Sequence, residues 1–287
     1  MQRHLHLLAA LCLAPVLSLA QTAAPSDSRL KKIQDSRSVA LAYRQDAAPF
    51  SFEREGQPAG YMVDLCRTVV AVMERQLGGP PLQVRWVPVT TQNRFSAIAA
   101  GQADMECGAS TVTLGRLKEV GFSSLTFVDG TGLLVRNATA GYSLSALAGK
   151  KIGVIAGTSN ERAVDRALKA LAMAATVVPL KSREEGLAQL ESGAIDAFAS
   201  DRVLLMGAAV TSKVPGGLAL MVDALSYEPY AIVLPRGDWA MQQAVNAALS
   251  QIFQSPALGE LYVRWFAPLG KPSPVLEVMY GLSSLPE

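Results

Sequence analysis

The sequence predicts an α/β fold built as two lobes, and two observations support it. Over most of the chain, apolar runs of strand length alternate with segments whose apolar residues recur at helical spacing, which is typical of βαβ units and largely parallel sheets. Residues 98–104 read IAAGQAD and residues 190–196 read LESGAID, so a helix end, a glycine cap and an aspartate before a strand occur twice. The repeat suggests two similarly built lobes, although such joints also recur in many other α/β proteins.

The first twenty residues predict a secretory signal peptide. Arg3 and His4 precede an apolar run from Leu5 to Leu19, and small residues stand before Gln21. Cleavage after residue 20 removes both histidines and one arginine, so the charge becomes 25 − 24 = +1. No later apolar stretch is long enough to span a bilayer, and we therefore expect a protein exported to the periplasm.

The composition excludes several classes of function. A mature chain without histidine has no Ser-His-Asp triad, no Cys-His pair and no histidine-ligated metal. A net charge near zero without a basic run argues against nucleic acid as a partner. We expect no metal and no cofactor.

The elements of the first half begin at a short buried strand, 39–42, followed by an amphipathic helix that ends at two glycines and two prolines. A strand, a short helix and a second strand follow. The predicted ranges are 39–42, 82–87 and 103–107 for strands and 62–77 and 95–100 for helices.

The same alternation resumes after the apolar residues 133–135. Each predicted strand is followed by a helix with an apolar face, and two helices close the chain. The predicted strands are 151–156, 176–179, 195–199 and 231–234, and the predicted helices are 160–170, 183–192, 202–211, 239–254 and 258–265.

Two cysteines remain in the mature chain. Cys66 and Cys107 form an even pair in an oxidising compartment, which favours a disulfide that stabilises by roughly 3–4.5 kcal/mol in the chain-entropy model. Two buried free thiols are the alternative. Either way the pair is structural, because no histidine is present to activate a thiolate.

Several short stretches, in their order and spacing, resemble one family. They are APFSF at 48–52, GYMVDLC at 60–66, TTQNR at 90–94, ECGAST at 106–111 with Arg116, GFS at 121–123, GTS at 157–159 and LESG at 190–193 with Asp201. Together they resemble the periplasmic solute-binding proteins that deliver polar amino acids to ABC importers, in the glutamate/aspartate-binding branch, from about Ile33 to Phe266.

The resemblance implies the two-lobed type II periplasmic binding protein fold, in which the ligand is trapped as the lobes close. It places lobe 1 at 29–127 plus 231–287 and lobe 2 at 131–226. Two hinge crossovers join them, near Val128-Asp129-Gly130 and near Tyr227–Tyr230.

The resemblance also assigns the ends of an α-amino acid. Arg116 is expected to clamp the α-carboxylate, since a guanidinium matches a planar carboxylate with two parallel bonds. Asp201, the Thr111 hydroxyl and the Ala109 carbonyl are expected to hold the ammonium. Thr158 and Ser159 stand before a predicted helix, whose N-terminus favours an anion. The alternatives are a surface salt bridge for Arg116 and a helix-capping role for Ser159 or Asp201.

Side-chain specificity is assigned to Arg44, Thr91, Arg94 and Arg183. Three arginines, Arg44, Arg94 and Arg116, then face one aspartate, and a ligand with a second carboxylate matches this count. We therefore expect L-glutamate or L-aspartate. Two departures from the family pattern, Ala109 for a serine and Arg183 for a histidine, leave open which of the two acids or related dicarboxylates is preferred. A solvated helix-start arginine is the alternative for Arg183.

The leading hypothesis is a non-enzymatic, monomeric receptor that docks on the membrane subunits of an ABC permease. One alternative is an enzyme of the cyclohexadienyl dehydratase kind, for which Glu106 and Asp201 are the available carboxylates. Another is a ligand sensor for a separate membrane receptor.

Overall fold

The computed structural model describes residues 28–136, 143–214 and 216–285. The predicted signal peptide, residues 1–20, lies outside the described residues. Strands form where β-branched and apolar residues cluster, and most of them are bounded by glycine or proline. The strands are β1 Ser38–Arg44, β2 Asp46–Ala47, β3 Ser51–Arg54, β4 Gln57–Ala59, β5 Gln83–Val89, β6 Met105–Glu106, β7 Gly121–Asp129, β8 Thr131–Arg136, β9 Lys151–Ile155, β10 Thr176–Leu180, β11 Ala197–Asp201, β12 Leu218–Leu220 and β13 Glu228–Leu234.

Helices fill most of the predicted intervals, and many begin at a serine, threonine or aspartate whose side chain accepts a backbone N–H. The helices are α1 Arg29–Ser36, α2 Tyr61–Leu77, α3 Arg94–Ala99, α4 Ser159–Ala170, α5 Arg183–Ser192, α6 Arg202–Val210, α7 Trp239–Phe253, α8 Pro256–Phe266 and α9 Pro274–Ser283, with short 3-10 helices at Arg116–Lys118, Leu144–Leu147 and Ala267–Leu269.

Two five-stranded sheets have the same plan. The first has the order β5-β1-β6-β13-β7 and the second the order β10-β9-β11-β8-β12. In each sheet the fourth strand runs antiparallel to its neighbours, and the other four strands run one way. The prediction of largely parallel sheets is therefore confirmed, and the antiparallel strands are β13 and β8.

Both faces of each sheet are buried. In β1, Val39 and Leu41 belong to one apolar cluster and Ala40 and Ala42 to another, on the opposite face. The second sheet likewise separates two clusters. Burial on both faces explains why these strands are continuous apolar runs instead of alternating ones.

The chain passes between the two sheets at two neighbouring places. β7 of the first sheet continues through Gly130 into β8 of the second, and β13 brings the chain back to the first sheet. Glu228 at the start of β13 pairs with Asp129 at the end of β7, so the two crossings lie side by side.

The repeated heptapeptide forms equivalent joints in the two sheets. Gly101 and Gly193 both have positive φ, at 73° and 80°, after helices α3 and α5. Asp104 accepts the backbone N–H of Ala40 at 2.7 Å, and Asp196 accepts that of Lys151 at 2.9 Å. Each aspartate thus ties its own strand to the neighbouring parallel strand, so the repeat reflects one construction used twice.

Some elements were not predicted. The three-stranded sheet β2-β3-β4 has strands of two to four residues, too short to show an alternating pattern. Helix α1 is mostly polar, and Ile33 alone among its residues is buried. The strand predicted at 195–199 begins two residues later, because Ile195 packs in the core from the turn that precedes β11.

Cys66 and Cys107 are joined by a disulfide, with their Cα atoms 6.2 Å apart. The bond ties α2 to the segment that follows β6. That segment continues to Ala109 and Thr111, so the covalent link lies next to predicted site residues. Within the described residues, every helix is too short or too polar to cross a membrane.

Candidate functional site

The predicted site residues follow the carboxyl ends of parallel strands in both sheets. In the first sheet, Arg44 ends β1, Thr91 and Arg94 follow β5, and residues 109–116 follow β6. In the second sheet, Thr158 and Ser159 follow β9, Arg183 follows β10 and Asp201 ends β11. Open α/β sheets bind ligands at this edge.

The two edges face one another and are in contact. The Ser159 hydroxyl lies 3.3 Å from the Thr111 hydroxyl, and Arg183 Nη1 lies 3.3 Å from Asp46 Oδ2. Gln92 Nε2 donates to the carbonyl of Lys181 at 3.3 Å. The cleft between the sheets is therefore closed in this structure.

Arg94 and Arg116 are held side by side on the first edge. Arg94 Nε donates to the Ser110 hydroxyl at 2.9 Å, and its Nη1 donates to the carbonyl of Thr91. Arg116 Nη1 donates to the carbonyl of Thr111 at 2.7 Å. Both guanidinium carbons lie over the ring of Phe95, at 4.3 and 4.7 Å from its centroid, a cation–π arrangement that steadies two like charges.

Arg44 and Arg183 meet across the cleft through a shared carboxylate. Asp46 accepts from Arg44 Nη2 through one oxygen and pairs with Arg183 through the other. Burial alone raises the pKa of Asp46, but the charges of Arg183 and Arg44 outweigh it and the pKa lies below its usual range. The side chain of Arg183 is only 12% exposed, so it is not a solvated helix-start arginine.

The four arginines form one cluster. Burial, together with the charge of Arg183, lowers the pKa of Arg44 to about 10. Burial and the charge of Arg116 lower the pKa of Arg94 to about 10. The guanidinium groups repel one another, and this repulsion favours an anion between them.

A second group of carboxylates lies next to the crossings. Asp201 stands at the N-cap position of α6, but its side chain makes no capping bond and instead accepts from Asn160 Nδ2 at 3.0 Å. Asp129 accepts the Val203 N–H of that helix instead. Burial and the charge of Glu228 raise the pKa of Asp201. A cation bound beside Asp201 would stabilise its ionised form.

Glu228 fixes the positions of three hydroxyl groups in the cleft. It accepts from Thr111 at 2.7 Å, from Thr131 at 3.0 Å and from Ser226 at 2.5 Å. The Tyr230 hydroxyl is buried beside the carboxylates of Asp201, Asp129 and Glu228. A donor group such as an ammonium finds acceptors here.

The Thr158 and Ser159 hydroxyls have different roles at the start of α4. Thr158 caps the helix, because its side chain accepts the Glu161 N–H at 3.2 Å. Ser159 is the first helical residue, and its hydroxyl faces Thr111. The capping alternative stated for Ser159 is therefore wrong, and the cap is Thr158.

Thr91 and Ala109 complete the predicted set. Thr91 lies in the turn after β5 and contributes its carbonyl to Arg94. Ala109 is buried, two residues from Thr111, in the segment that the disulfide anchors. The structure brings all ten predicted residues to the two facing edges.

The charge count made from the sequence left out several carboxylates of this cleft. The count of three arginines against one aspartate is incomplete, because Asp46 and the fully buried Glu106 and Glu228 also lie among or beside the arginines. A carboxylate two residues after Arg44 was the only available signal for Asp46. Nothing local marks Glu228, which reaches the cleft only because β13 returns beside β7.

Comparison with known proteins agrees with this architecture. Residues 39–268 match the family described as bacterial extracellular solute-binding proteins, family 3. The chain is 32% identical, over 91% of its length and 87% of the relative's, to an L-glutamate/L-aspartate-binding protein of Pseudomonas aeruginosa. It is 29% identical, over 90% of its length and 86% of the relative's, to a glutamate/aspartate import solute-binding protein of Escherichia coli.

A solved structure shares the fold as well. An ancestral amino acid-binding protein, described as a precursor of cyclohexadienyl dehydratase, superposes with a TM-score of 0.71 at 26% identity, covering 83% of this chain and 99% of that one. The chain belongs to the family 3 bacterial extracellular solute-binding proteins and has their two-lobed α/β fold.

Proposed function

We propose that this protein captures an acidic amino acid, L-glutamate or L-aspartate, between its two sheets and delivers it to the membrane subunits of an ABC importer. The observation that carries the proposal is the polarity of the closed cleft. Four arginines cluster in the cleft, and Asp201 and Glu228 lie beside the crossings between the two sheets.

This polarity matches the ligand group by group. Arg116 pairs with the α-carboxylate, and Asp201 with the ammonium, near the hydroxyls of Thr111 and Ser159. Arg94, Arg44 and Arg183 then face the side-chain carboxylate. Each pair replaces the hydration that a charged ligand loses on burial.

The relatives support an acidic ligand. The two curated relatives named above are described as glutamate/aspartate-binding proteins, and their likeness extends over about nine-tenths of this chain. The four arginines account for that preference physically, since a neutral side chain leaves guanidinium groups without an anion.

Capture follows from contacts made by both sheets. Arg183, Ser159 and Asp201 come from the second sheet, and Arg94, Arg116 and Thr111 come from the first. A ligand that touches both groups stabilises the closed state relative to an open one, and closure is a surface signal that a permease reads. The lobes proposed for this motion are 29–127 with 231–287, and 131–226.

The cellular setting is part of the proposal. Cleavage of residues 1–20 delivers the chain to the periplasm, where it acts as a monomer. The disulfide between Cys66 and Cys107 suits an oxidising compartment.

Calorimetry tests the proposal directly. Protein stripped of ligand by unfolding and refolding is titrated with L-glutamate, L-aspartate, L-glutamine and L-arginine. We expect binding of the two acids and no heat from arginine. Absence of binding by both acids contradicts the proposed ligand.

Two variants assign the site, with a third as control. Arg116→Ala is expected to abolish binding of every amino acid, and Arg94→Ala to weaken acidic ligands far more than glutamine. Arg85→Ala removes an exposed arginine of β5 outside the cleft and leaves the affinity unchanged. Normal glutamate binding by the first two variants contradicts the assignment.

An enzyme of the dehydratase kind is the second candidate, supported by likeness to the ancestral precursor protein. That protein is itself described as an amino acid-binding protein, and the curated relatives are solute-binding proteins. Turnover of a cyclic dicarboxylic acid such as prephenate by the purified protein is the result that favours this candidate.

A further inference from the structure

Glu106 is a buried carboxylate that the ligand contacts proposed above do not use. It ends β6, the central strand of the first sheet, between β1 and β13. Its side chain is 0% exposed. Ser110 is the hydrogen-bonding side chain beside it, and among the described residues neither carboxylate oxygen has a donor in good geometry.

The groups around Glu106 come from three other elements. They are Arg44 at the end of β1, Arg94 and Ser110 on either side of the strand end, and Arg116 in the short helix beyond. Burial raises the pKa of Glu106, and these four groups oppose that rise. The net result is a carboxyl group whose pKa is higher than usual although it lies among arginines.

The carboxylate lies directly against the segment that carries Ala109 and Thr111. A Cβ at Gly108 would lie 2.2 Å from Glu106 Oε1 and 3.1 Å from Arg44 Cγ. A side chain at position 108 would therefore displace the carboxylate from its present place. Gly108 therefore allows Glu106 to lie against the segment that carries Ala109 and Thr111, close to the arginine cluster.

The charges of the cleft balance only while Glu106 is ionised. Asp46 forms ion pairs with Arg44 and Arg183, and Glu228 accepts hydrogen bonds from three hydroxyl groups. Glu106 is then the carboxylate left to balance Arg94 and Arg116. An acidic amino acid brings two further carboxylates to these arginines and one ammonium to Asp201.

We propose that Glu106 takes up one proton from solvent when an acidic amino acid binds, and returns it when the ligand leaves. The reason is that three carboxylates then share the arginines in a site with little water. Glu106 is fully buried and, among the described residues, has only Ser110 beside it as a hydroxyl donor, so protonating it costs the least free energy. The inference rests on the proposed acidic ligand and makes its binding proton-coupled.

The linkage has a definite sign. Because binding adds a proton to Glu106, affinity rises as pH falls, by up to about tenfold per pH unit for one proton. Affinity depends on pH in this way over the pH range between the pKa of Glu106 in the free protein and its pKa in the liganded protein. Asp201 and Asp129 act in the opposite sense, since an ammonium beside them favours their ionised forms and releases protons.

The number of protons is measured by titrating L-glutamate into the protein in phosphate and in Tris, whose ionisation enthalpies differ. Comparing wild type with Glu106→Gln, which mimics the protonated side chain, isolates this residue from Asp201 and Asp129. Glu53→Gln, an exposed carboxylate of β3, is the control. We expect Glu106→Gln to take up about one proton fewer than wild type and the control to match wild type.

Each outcome decides something. Equal proton uptake by wild type and Glu106→Gln overturns the inference but leaves the proposed function intact. No binding of glutamate or aspartate by wild type overturns the proposed function itself.

A second measurement covers a Glu106→Gln variant that does not fold. Infrared difference spectra of wild type with carbon-13-labelled L-glutamate separate ligand bands from protein bands. We expect a new protein band of a protonated carboxyl group on binding, retained in Asp129→Asn. Its absence overturns the inference.

Discussion

Gly207 is the residue at which closure is most directly tested. It lies inside α6, on the second-sheet side of the cleft, opposite the turn between β2 and β3. A Cβ built at this position would lie 2.8 Å from the carbonyl oxygen of Ala48 and 3.4 Å from its carbonyl carbon. These are backbone atoms, so they do not rotate away as the end of a flexible side chain does. Gly207→Ala therefore introduces a clash that exists only while the two edges are in contact.

The expected changes in affinity and in stability come from two separate effects, overpacking in the closed state and helix propensity. Overpacking by one methyl group costs about 1–3 kcal/mol, and this acts on the closed state alone. At 1.4 kcal/mol per factor of ten, the dissociation constant for L-glutamate rises by roughly 5- to 150-fold. Alanine is also the better helix former, by about 1 kcal/mol, so the unfolding free energy of the ligand-free protein stays level or rises.

The assay pairs calorimetry with thermal unfolding in the absence of ligand. Gly259→Ala is the matched control, because Gly259 also lies inside a helix, α8, and a Cβ there meets nothing within 4 Å. We expect the control to keep the wild-type affinity. An unchanged dissociation constant for Gly207→Ala refutes the idea that this contact belongs to the ligand-bound state.

Two further predictions concern stability. Replacing Cys66 and Cys107 by alanine removes a cross-link over a sequence separation of 41. In the chain-entropy model this lowers the unfolding free energy by about 4 kcal/mol. Urea unfolding of the double variant measures the loss, and an unchanged midpoint contradicts it. Burial and the charge of Asp201 raise the pKa of Asp129 to about 8, so its contribution to stability is complete below the unfolded-state value of 3.8 and is lost as pH rises through about 8. Unfolding free energy measured across this window should fall less steeply with pH in Asp129→Asn, and identical slopes would show that another group titrates.

Local pattern was enough for much of the fold. Helix 183–192 matches α5 at both ends, and the glycine joints at residues 101 and 193 share the backbone conformation that their sequence similarity suggested. These features depend on hydrophobic spacing and on the left-handed conformation that glycine adopts freely, so they are visible within a few residues. The short strands of the β2–β4 hairpins lack enough residues for any period to appear.

The candidate site divides in the same way. Arg94, Arg116 and Asp201 were predicted from resemblance to the solute-binding proteins, in short motifs that the family shares. Glu228 could not be linked to Thr111, since 117 positions separate them and only the return of β13 beside β7 brings them to 2.7 Å. Glu106 was noticed as a carboxylate, yet its position among arginines depends on the order of strands in the sheet.

Composition and local spacing were enough to predict the α/β class and the cysteine pair, and resemblance to a known family supplied the two-lobed plan and the candidate site residues. Tertiary structure alone decided how charge is balanced in the cleft. Asp46 bridges Arg44 to Arg183, and the Glu106 carboxylate lies against Gly108. Electrostatic interactions depend on distance and burial in three dimensions, and neither quantity is written in the order of residues.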